Sequence, residues 1–466
     1  MIPLVSWRVN TRARHDTRLL TGDVMPTFVN TLTVPALAAT ALAAGIGVVV
    51  VNSESSTAHH VATVSVPAPS TNAAVGGTGL PSQIAQLQQR LRDVPGDWQS
   101  WGSLGFDYVQ QARVTVDPTY YPKAQQVLRR SLELNATDNI IAMAGEAALS
   151  AARHDFRGAL TWARRGLSVD PHNGVLLGAL DDALTQLGDY AGAARAAAAM
   201  ERADPGTAAE ARLSYVAELR GDIRGAESWM RLALADAGTP ADVAFTRYYL
   251  GDLHLGSGNA EAALADYSAG LAADPSYTAL IDGRARAEVA LGQTANALRD
   301  FATVVAEVPM PSYVVEYGEL LQASGQGDAA AKQYALVRIE ERLFRANGVV
   351  LDSDATLFEA DHGSPAQAVA IGRAAIASRP FLDSYDAYGW ALYRDGQDRA
   401  ALAMVNRALR TGYHSALFRY HRGVIELALG QRKAGRADLR IALAYNPSFS
   451  PIAAPIARHL LAGSQL

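Results

Sequence analysis

The stretch GDYAGAA, residues 188–194, returns in varied form along most of the chain. Related segments begin at His154, Gly221, Gly258, Gly292, Gly325, Gly363, Gly396 and Gly430. From His154 onward, successive starts are 34, 33, 37, 34, 33, 38, 33 and 34 residues apart. A period of this length indicates a repeat architecture, in which each unit buries its faces against its neighbours.

Each unit is predicted to be a pair of antiparallel helices. The glycine at the segment start favours the left-handed backbone that ends a helix. Small residues such as Gly251 allow close approach within a pair, and larger ones are predicted to fill the gap to the next pair: Tyr267, Phe301, Tyr334 and Leu439. A proline follows six of the starts by 17 residues and is predicted to open the next unit. Units should end near Pro171, Pro205, Gly238, Pro275, Pro309, Pro380, Tyr413 and Pro447, with inserted turns near Gly238 and Asn347.

The first unit carries the most complete set of repeat residues. Trp101, Leu104, Gly105 and Tyr108 come first, and after an insertion at 114–121 the pattern resumes with Ala124, Leu128 and Ser131. With the 34-residue period, this pattern resembles the tetratricopeptide repeat (TPR) over roughly residues 97–449. The resemblance implies an all-α, right-handed α-solenoid of about ten helix pairs that binds a protein or peptide in its concave groove.

The same resemblance points to groove residues, because first helices line the concave face of TPR proteins. The candidates are Asp182, Tyr215, Glu218, Tyr248, Asp252, Asp282, Arg286, Glu319, Asp386, Trp390, Tyr393 and Tyr420. Exposed aromatic side chains are good binding anchors, and acidic neighbours favour a basic or amine-bearing ligand. The basic clamp of the family's chaperone-binding members is missing, since Arg286 stands nearly alone. For each residue, simple packing on the adjacent helix is the alternative.

The first 82 residues predict a membrane anchor and a tether. Residues 28–51 contain no charge over 24 positions, enough for a transmembrane helix. The arginines in residues 1–27 predict a cytoplasmic N-terminus, so the repeats would lie outside the cytoplasmic membrane. Secretion after cleavage of a signal peptide is the alternative. Residues 52–82 are predicted to be a flexible linker, 83–449 the solenoid and 450–466 a capping segment.

The composition and the motifs of the chain argue against several classes of function. The net charge of −5 and the lack of basic, aromatic-interleaved runs argue against nucleic acid, and the absence of cysteine excludes thiolate chemistry. Common catalytic motifs are missing, and no cofactor or metal is implied. Asp181 and Asp182 should point apart on a helix, while His414 and His421 are expected to be packing or surface residues. The sequence favours a membrane-tethered scaffold of an envelope or secretion assembly, with a glycan or cell-wall binder and an unrecognised enzyme as alternatives.

Overall fold

The computed structural model describes residues 79–463, which form 22 α-helices and contain no β-strand. Ten antiparallel pairs run from α2/α3 to α20/α21, with α1 before them and α22 after them. This confirms the predicted all-α solenoid of about ten pairs. The helices are α1 Leu80–Asp93, α2 Trp98–Thr115, α3 Tyr120–Leu134, α4 Ile140–Ala152, α5 Phe156–Leu167, α6 Gly174–Gln186, α7 Tyr190–Ala203, α8 Thr207–Glu218, α9 Ile223–Ala235, α10 Pro240–Gly256, α11 Ala260–Ala273, α12 Thr278–Ala290, α13 Thr294–Glu307, α14 Pro311–Ala323, α15 Gly327–Ala346, α16 Ser353–His362, α17 Pro365–Ser378, α18 Leu382–Arg394, α19 Asp398–Ala408, α20 Ala416–Ala428, α21 Arg432–Tyr445 and α22 Ala453–Ala462.

The recurring segment joins the two helices of a pair. Its aspartate caps the second helix by accepting a hydrogen bond from the glycine three residues later, as Asp189 does from the Gly192 backbone N–H at 2.8 Å. Asp155 and Asp222 cap α5 and α9 in the same way. Such caps satisfy backbone donors that a helix start leaves unpaired. The repeated motif therefore encodes the turn and the helix start together.

The turn itself uses left-handed backbone, as predicted, with φ of 76° at Gly188. Gly363 is the exception, because its φ is −140°. There the turn is held differently: Arg338 donates to the His362 carbonyl at 2.8 Å, and the Glu359 carboxylate accepts from the Ser364 N–H at 3.0 Å. Side chains thus replace the left-handed residue in this unit.

The prolines open the next unit, as predicted, from the loop before its helix cap; Pro171, for example, precedes the capping residue Asn173. The prediction of inserted turns is wrong in part. The longer spacings reflect longer helices more than inserted turns. Helix α10 has 17 residues and α15 has 20, whereas α12 has 13. Four extra residues add about one helical turn. The first helix also begins inside the predicted linker, at Leu80.

The predicted gap-filling role is clearest at Tyr267, whose side chain is fully buried. Its ring occupies the space that a methyl group on Gly251 of α10 or on Gly283 of α12 would need. Only glycine at both positions lets the two helices close on this ring. An aromatic side chain buries ~150–250 Å², so this contact contributes on the order of 4 kcal/mol before entropic costs. The ring fixes the spacing of successive units.

The solenoid coils back on itself, which the sequence did not predict. Four helix-pair turns, around His154, Gly188, Gly221 and Gly258, contact inter-unit loops that lie much later in the chain. Most hydrogen bonds between the two layers join residues 191 to 197 positions apart, which is about six units of roughly 34 residues. One more, from Arg157 to the Ala377 carbonyl, spans 220 positions. We call this line of contacts the seam.

A buried ion pair stands near the start of the seam. Arg379 is 1% exposed, donates to the Gln186 side-chain oxygen at 2.5 Å and pairs with Asp352. The His154 ring nitrogen lies 3.0 Å from the same Asp352 carboxylate. Arg379 holds the pKa of Asp352 well below its usual range, although burial opposes this. The seam is therefore joined by charge as well as by close backbone contact.

Candidate functional site

The coiled solenoid lines a partly open cavity of about 1380 Å³. Most of its wall comes from first helices of pairs, from α6 to α20, with the loops after α19 and α21 and the start of α22 completing it. Among residues 79–463, ten carboxyl groups and four guanidinium groups line this space. The cavity is therefore acidic on balance, and the seam closes one side of its wall.

Eight of the twelve predicted groove residues line the cavity: Asp182, Tyr215, Glu218, Asp252, Arg286, Glu319, Trp390 and Tyr420. The other four lie behind this lining: Tyr248, Asp282, Asp386 and Tyr393. They touch the lining residues, since Tyr248 and Asp282 accept hydrogen bonds from Arg286, Asp386 bonds His421, and Tyr393 packs on Trp390. The structure thus brings all twelve into one wall, and their role in binding stays a prediction.

Arg286 is the centre of a charged network on α12. Its guanidinium donates to Asp252 at 2.9 Å, to Asp282 at 3.0 Å and to the Tyr248 hydroxyl at 3.2 Å, and the Glu316 carboxylate lies 3.7 Å away. These carboxylates outweigh the cost of burial and raise the pKa of the arginine. A guanidinium engaged in this way cannot serve as a clamp for a carboxylate ligand.

Two carboxyl groups beside Arg286 carry oxygens that no hydrogen-bond donor of the described chain reaches. They are Oδ1 of Asp282, a residue only 2% exposed, and Oε2 of Glu316, which reaches the cavity. Burial and the neighbouring Asp282 raise the pKa of Glu316 well above its usual range. The pair is close enough to share a proton. This part of the wall holds more negative charge than Arg286 balances.

A second group of carboxyls lines the cavity between α8, α16 and α18. Glu218 accepts a hydrogen bond from the Tyr413 hydroxyl at 3.5 Å, across the seam. Burial, with Asp252 next, raises the pKa of Glu218 to about 7. Burial also raises the pKa of Asp383 to about 7, and raises that of Asp354 to about 6. All three keep contact with the solvent inside the cavity while protein surrounds them.

Asp181 and Asp182 do not point apart as the sequence predicted. Both carboxylates approach the Arg212 guanidinium, which donates to Asp182 at 2.8 and 3.1 Å and lies 3.8 Å from Asp181. Burial raises the pKa of both aspartates, and the proximity of Asp182 adds to it for Asp181. One long arginine from the next unit can reach two adjacent helical positions, which helical periodicity alone does not reveal.

The aromatic residues at α18 and α20 are buried, contrary to the exposure expected of binding anchors. Trp390 and Tyr420 are each 5% exposed. The Trp390 ring stacks on His421 at 4.2 Å, and its N–H donates to Asp361 at 2.9 Å. Both side chains line the cavity but keep little exposed surface, because neighbouring rings pack on them. Trp390 consequently offers no open face for stacking on a sugar ring.

The histidines lie where the helix boundaries predict. His414 is in the loop before α20, and His421 is inside the helix, 2% exposed, with its Nδ1 2.8 Å from Asp386. Across residues 79–463, no group of three or more histidine or acidic side chains is arranged to hold a metal ion. His421 thus has a packing and hydrogen-bonding role in the wall.

Several residues that line the cavity were not among those predicted from the sequence. Arg212, Tyr249, Glu316, Asp361, Asp383 and Tyr413 belong to this set. Tyr249 lines the cavity whereas its predicted neighbour Tyr248 lies behind it, although Asp252 of the same helix lines the cavity as predicted. Tyr413 comes from an inter-unit loop and reaches the cavity only because the seam brings that loop to α8. No sequence signal marks such a contact.

The predicted membrane segment, residues 28–51, lies outside the described residues, as does most of the predicted linker. None of the helices between residues 79 and 463 combines the length and the apolar character needed to cross a membrane. The anchor therefore stays a prediction.

Comparison with known proteins returns solved structures of TPR proteins and TPR-like helical repeat proteins. A TPR protein from Parabacteroides merdae shares 19% identity over 55% of this chain and 97% of that chain, with a TM-score of 0.32. A thermophilic TPR protein of Thermus thermophilus shares 24% identity over 42% of this chain and 98% of its own, with a TM-score of 0.36. The human IFIT1 dimer with PPP-AAAA shares 16% identity over 71% and 77%, with a TM-score of 0.43. No protein-family model and no curated protein matches the chain.

Proposed function

We propose that this chain is a scaffold that holds a segment of a partner protein inside the cavity. The observation that carries the proposal is the partly open cavity of about 1380 Å³. Small-molecule pockets measure roughly 300–1,000 Å³, so this one can take several residues of a polypeptide. Helical repeats use concave surfaces of this kind for extended partners.

The charge of the lining favours a protein over a nucleic acid. A phosphate backbone needs arginine and lysine side chains to neutralise it. In this cavity carboxyl groups outnumber guanidinium groups, and Arg286 and Arg212 are already paired with aspartates. An RNA such as the PPP-AAAA in the IFIT1 structure would meet repulsion here.

Site-specific photo-crosslinking in the native host tests the proposal. A photoreactive amino acid would replace Tyr445, which lines the cavity, and in matched controls Leu232 or Ile339, which are exposed and outside the lining. We expect one partner segment to be captured from position 445 and not from the controls. Capture from the control positions alone would refute a cavity-bound partner.

We further propose that residues 28–51 anchor the chain in the cytoplasmic membrane, with the repeats outside, in an envelope or secretion assembly. The uncharged run and the arginines that precede it support this orientation. Protease added to intact cells should cut the repeats as readily as an exterior marker. Repeats that stay intact while the marker is cut would contradict the orientation.

A further inference from the structure

The wall of the cavity contains acidic groups that the chain itself does not neutralise. Near Arg286, the unpaired oxygens of Asp282 and Glu316 are neighbours. Asp282 is almost fully buried, and its partner Glu316 faces the cavity. Two carboxyl groups so placed need either a shared proton or a cation to balance them. A positively charged group in the cavity would supply that balance.

A second part of the wall repeats this arrangement. Glu218, Asp383 and Asp354 line the cavity between α8, α16 and α18. The hydroxyl of Tyr413 contacts Glu218, and Tyr215 lies in the same part of the lining. Long basic side chains bury their aliphatic stems against such rings while their charged ends meet carboxylates. The two acidic groups, with aromatic residues beside them, match a chain that carries several cations.

The seam limits how an occupant arrives. On that side the wall is closed by backbone contacts, as at Gly221 against Gly412, and by the Tyr413 bond to Glu218. A folded domain cannot enter sideways between these layers without separating them. A cavity of about 1380 Å³ likewise suits a few residues of an extended segment better than a folded domain. Extended segments rich in lysine or arginine stay unfolded on their own because they bury little apolar surface.

We infer that the cavity takes an extended, cationic polypeptide segment whose lysine or arginine side chains pair with Glu218, Asp383 and Glu316. The inference rests on the proposed scaffold function and names the chemical class of its partner. It differs from a carboxylate clamp, which would need free cations in the wall.

Binding of such a segment is coupled to proton release. Burial raises the pKa of both Glu218 and Asp383 to about 7, so an empty cavity holds protons near neutral pH. A bound cation favours the charged carboxylate and expels the proton. Affinity should therefore rise as the pH increases from 6 to 8. Neighbouring charged groups and tyrosines also affect the pKa values of these carboxyls. Glu218 faces Asp252 and Tyr413, and Asp383 faces Arg379, Asp354, Asp386 and Asp352. Glu316 faces Asp282, Arg286, Glu319 and Asp252.

Two synthetic peptides test the inference with the full-length chain in an uncharged detergent. One alternates lysine and glycine over twelve residues, and the other replaces each lysine with glutamate. Fluorescence anisotropy should show the lysine peptide binding at least about tenfold more tightly, a difference of roughly 1.4 kcal/mol, and more tightly at pH 8 than at pH 6. Equal affinity for the two peptides would overturn the inference.

Charge-matched variants locate the site. Glu218→Gln with Asp383→Asn removes two cavity carboxylates, whereas Glu261→Gln with Asp328→Asn removes two exposed ones that do not line the cavity. The cavity variant should lose about tenfold in affinity for the lysine peptide and most of its pH dependence, while the surface variant should match the wild type. Equal losses of affinity in both variants would show non-specific charge pairing and contradict the assignment. A thermal melt of each variant checks that it is folded.

The composition of the crosslinked segment separates this inference from the proposed function. A lysine- or arginine-rich segment captured at position 445 supports both. An acidic or uncharged segment captured there would leave the scaffold function standing and overturn the cationic assignment. Failure to capture any segment from the cavity would count against the scaffold function itself.

Discussion

The α-carbon of Gly221 lies against the backbone carbonyl of Gly412, so the two residues hold successive layers of the coiled solenoid together. A methyl group on Gly221 would overlap that carbonyl oxygen, and backbone atoms cannot move aside as a flexible side chain can. Gly221 also has a φ of 75°. Position 221 therefore requires glycine for two separate reasons: its left-handed backbone and its close contact with Gly412 across the seam.

The first prediction separates these reasons by comparing Gly221→Ala with Gly325→Ala. Gly325 has a φ of 77° but open space around it. Both variants should lose about 1–2 kcal/mol for left-handed backbone, and Gly221→Ala about 1–3 kcal/mol more for the clash. Urea denaturation followed by circular dichroism measures the midpoints. Indistinguishable midpoints would mean that the layers do not touch at Gly221.

The sequence predicted what repeats in every unit and missed what depends on the whole coil. The period, the turn residue and the packing of Tyr267 all follow from neighbouring units, so one chain displays them many times. The contact between Gly221 and Gly412 depends on a small rotation per unit, summed over about six units. No local pattern encodes that sum. Tyr413 entered the cavity wall for the same reason.

The sequence predicted which helices line the cavity, but not how exposed each lining residue is. The first helices of the pairs supply most of the lining residues, including Glu218 and Asp252. Burial was misjudged at Trp390, because the sequence does not show that His421 and Asp361 from neighbouring helices cover the ring. Sequence periodicity assigns a residue to a face of its helix, whereas the neighbouring helices decide how much of that face stays open.

The second prediction concerns the buried Arg379 of the seam. Arg379→Met leaves the Gln186 oxygen without its donor and the buried Asp352 carboxylate with only His154 beside it, so the free energy of unfolding should fall by about 3–5 kcal/mol. Arg129→Met, at an exposed ion pair with Glu133, should cost less than about 1 kcal/mol. Adding Asp352→Asn to Arg379→Met should recover part of the loss. An Arg379 effect as small as that of Arg129 would contradict a joined seam.

The third prediction follows from the same ion pair and concerns acid. The pKa of Asp352 is held below its usual range in the folded state, so its stabilising effect is present above about pH 4 and is lost as the pH falls through the folded value. Arg379→Met removes the main cause of this depression. Without Arg379, Asp352 contributes less of the stability that acid removes, so the variant should lose less stability than the wild type between pH 6 and pH 3. Melting temperatures between pH 3 and pH 6 would show this, and parallel curves would contradict it.

The fourth prediction tests the burial of Trp390. Trp390→Ala should cost about 3–5 kcal/mol, as large-to-small changes in a packed core do. Trp390→Phe keeps most of the packing and loses the bond to Asp361, which Arg394 still contacts at 2.6 Å, so it should cost less. Urea midpoints compare the two variants. If the alanine variant loses under about 1 kcal/mol, the ring is a surface anchor after all.

The last prediction concerns the pH dependence of stability that Glu218 causes in the protein without a bound partner. Since the pKa of Glu218 is about 7 when folded and about 4.3 when unfolded, the folded chain holds a proton there that the unfolded chain releases. The stability that this proton contributes is full below about pH 4 and is lost as the pH rises through 7. Glutamine is neutral at every pH, so Glu218→Gln should melt at a higher temperature than the wild type at pH 8, with a smaller difference at pH 5. The exposed Glu261→Gln should show no such trend. A Glu218→Gln variant that is less stable than the wild type at pH 8 would mean that the carboxylate is neutralised within the chain, leaving no unbalanced charge for a cationic partner.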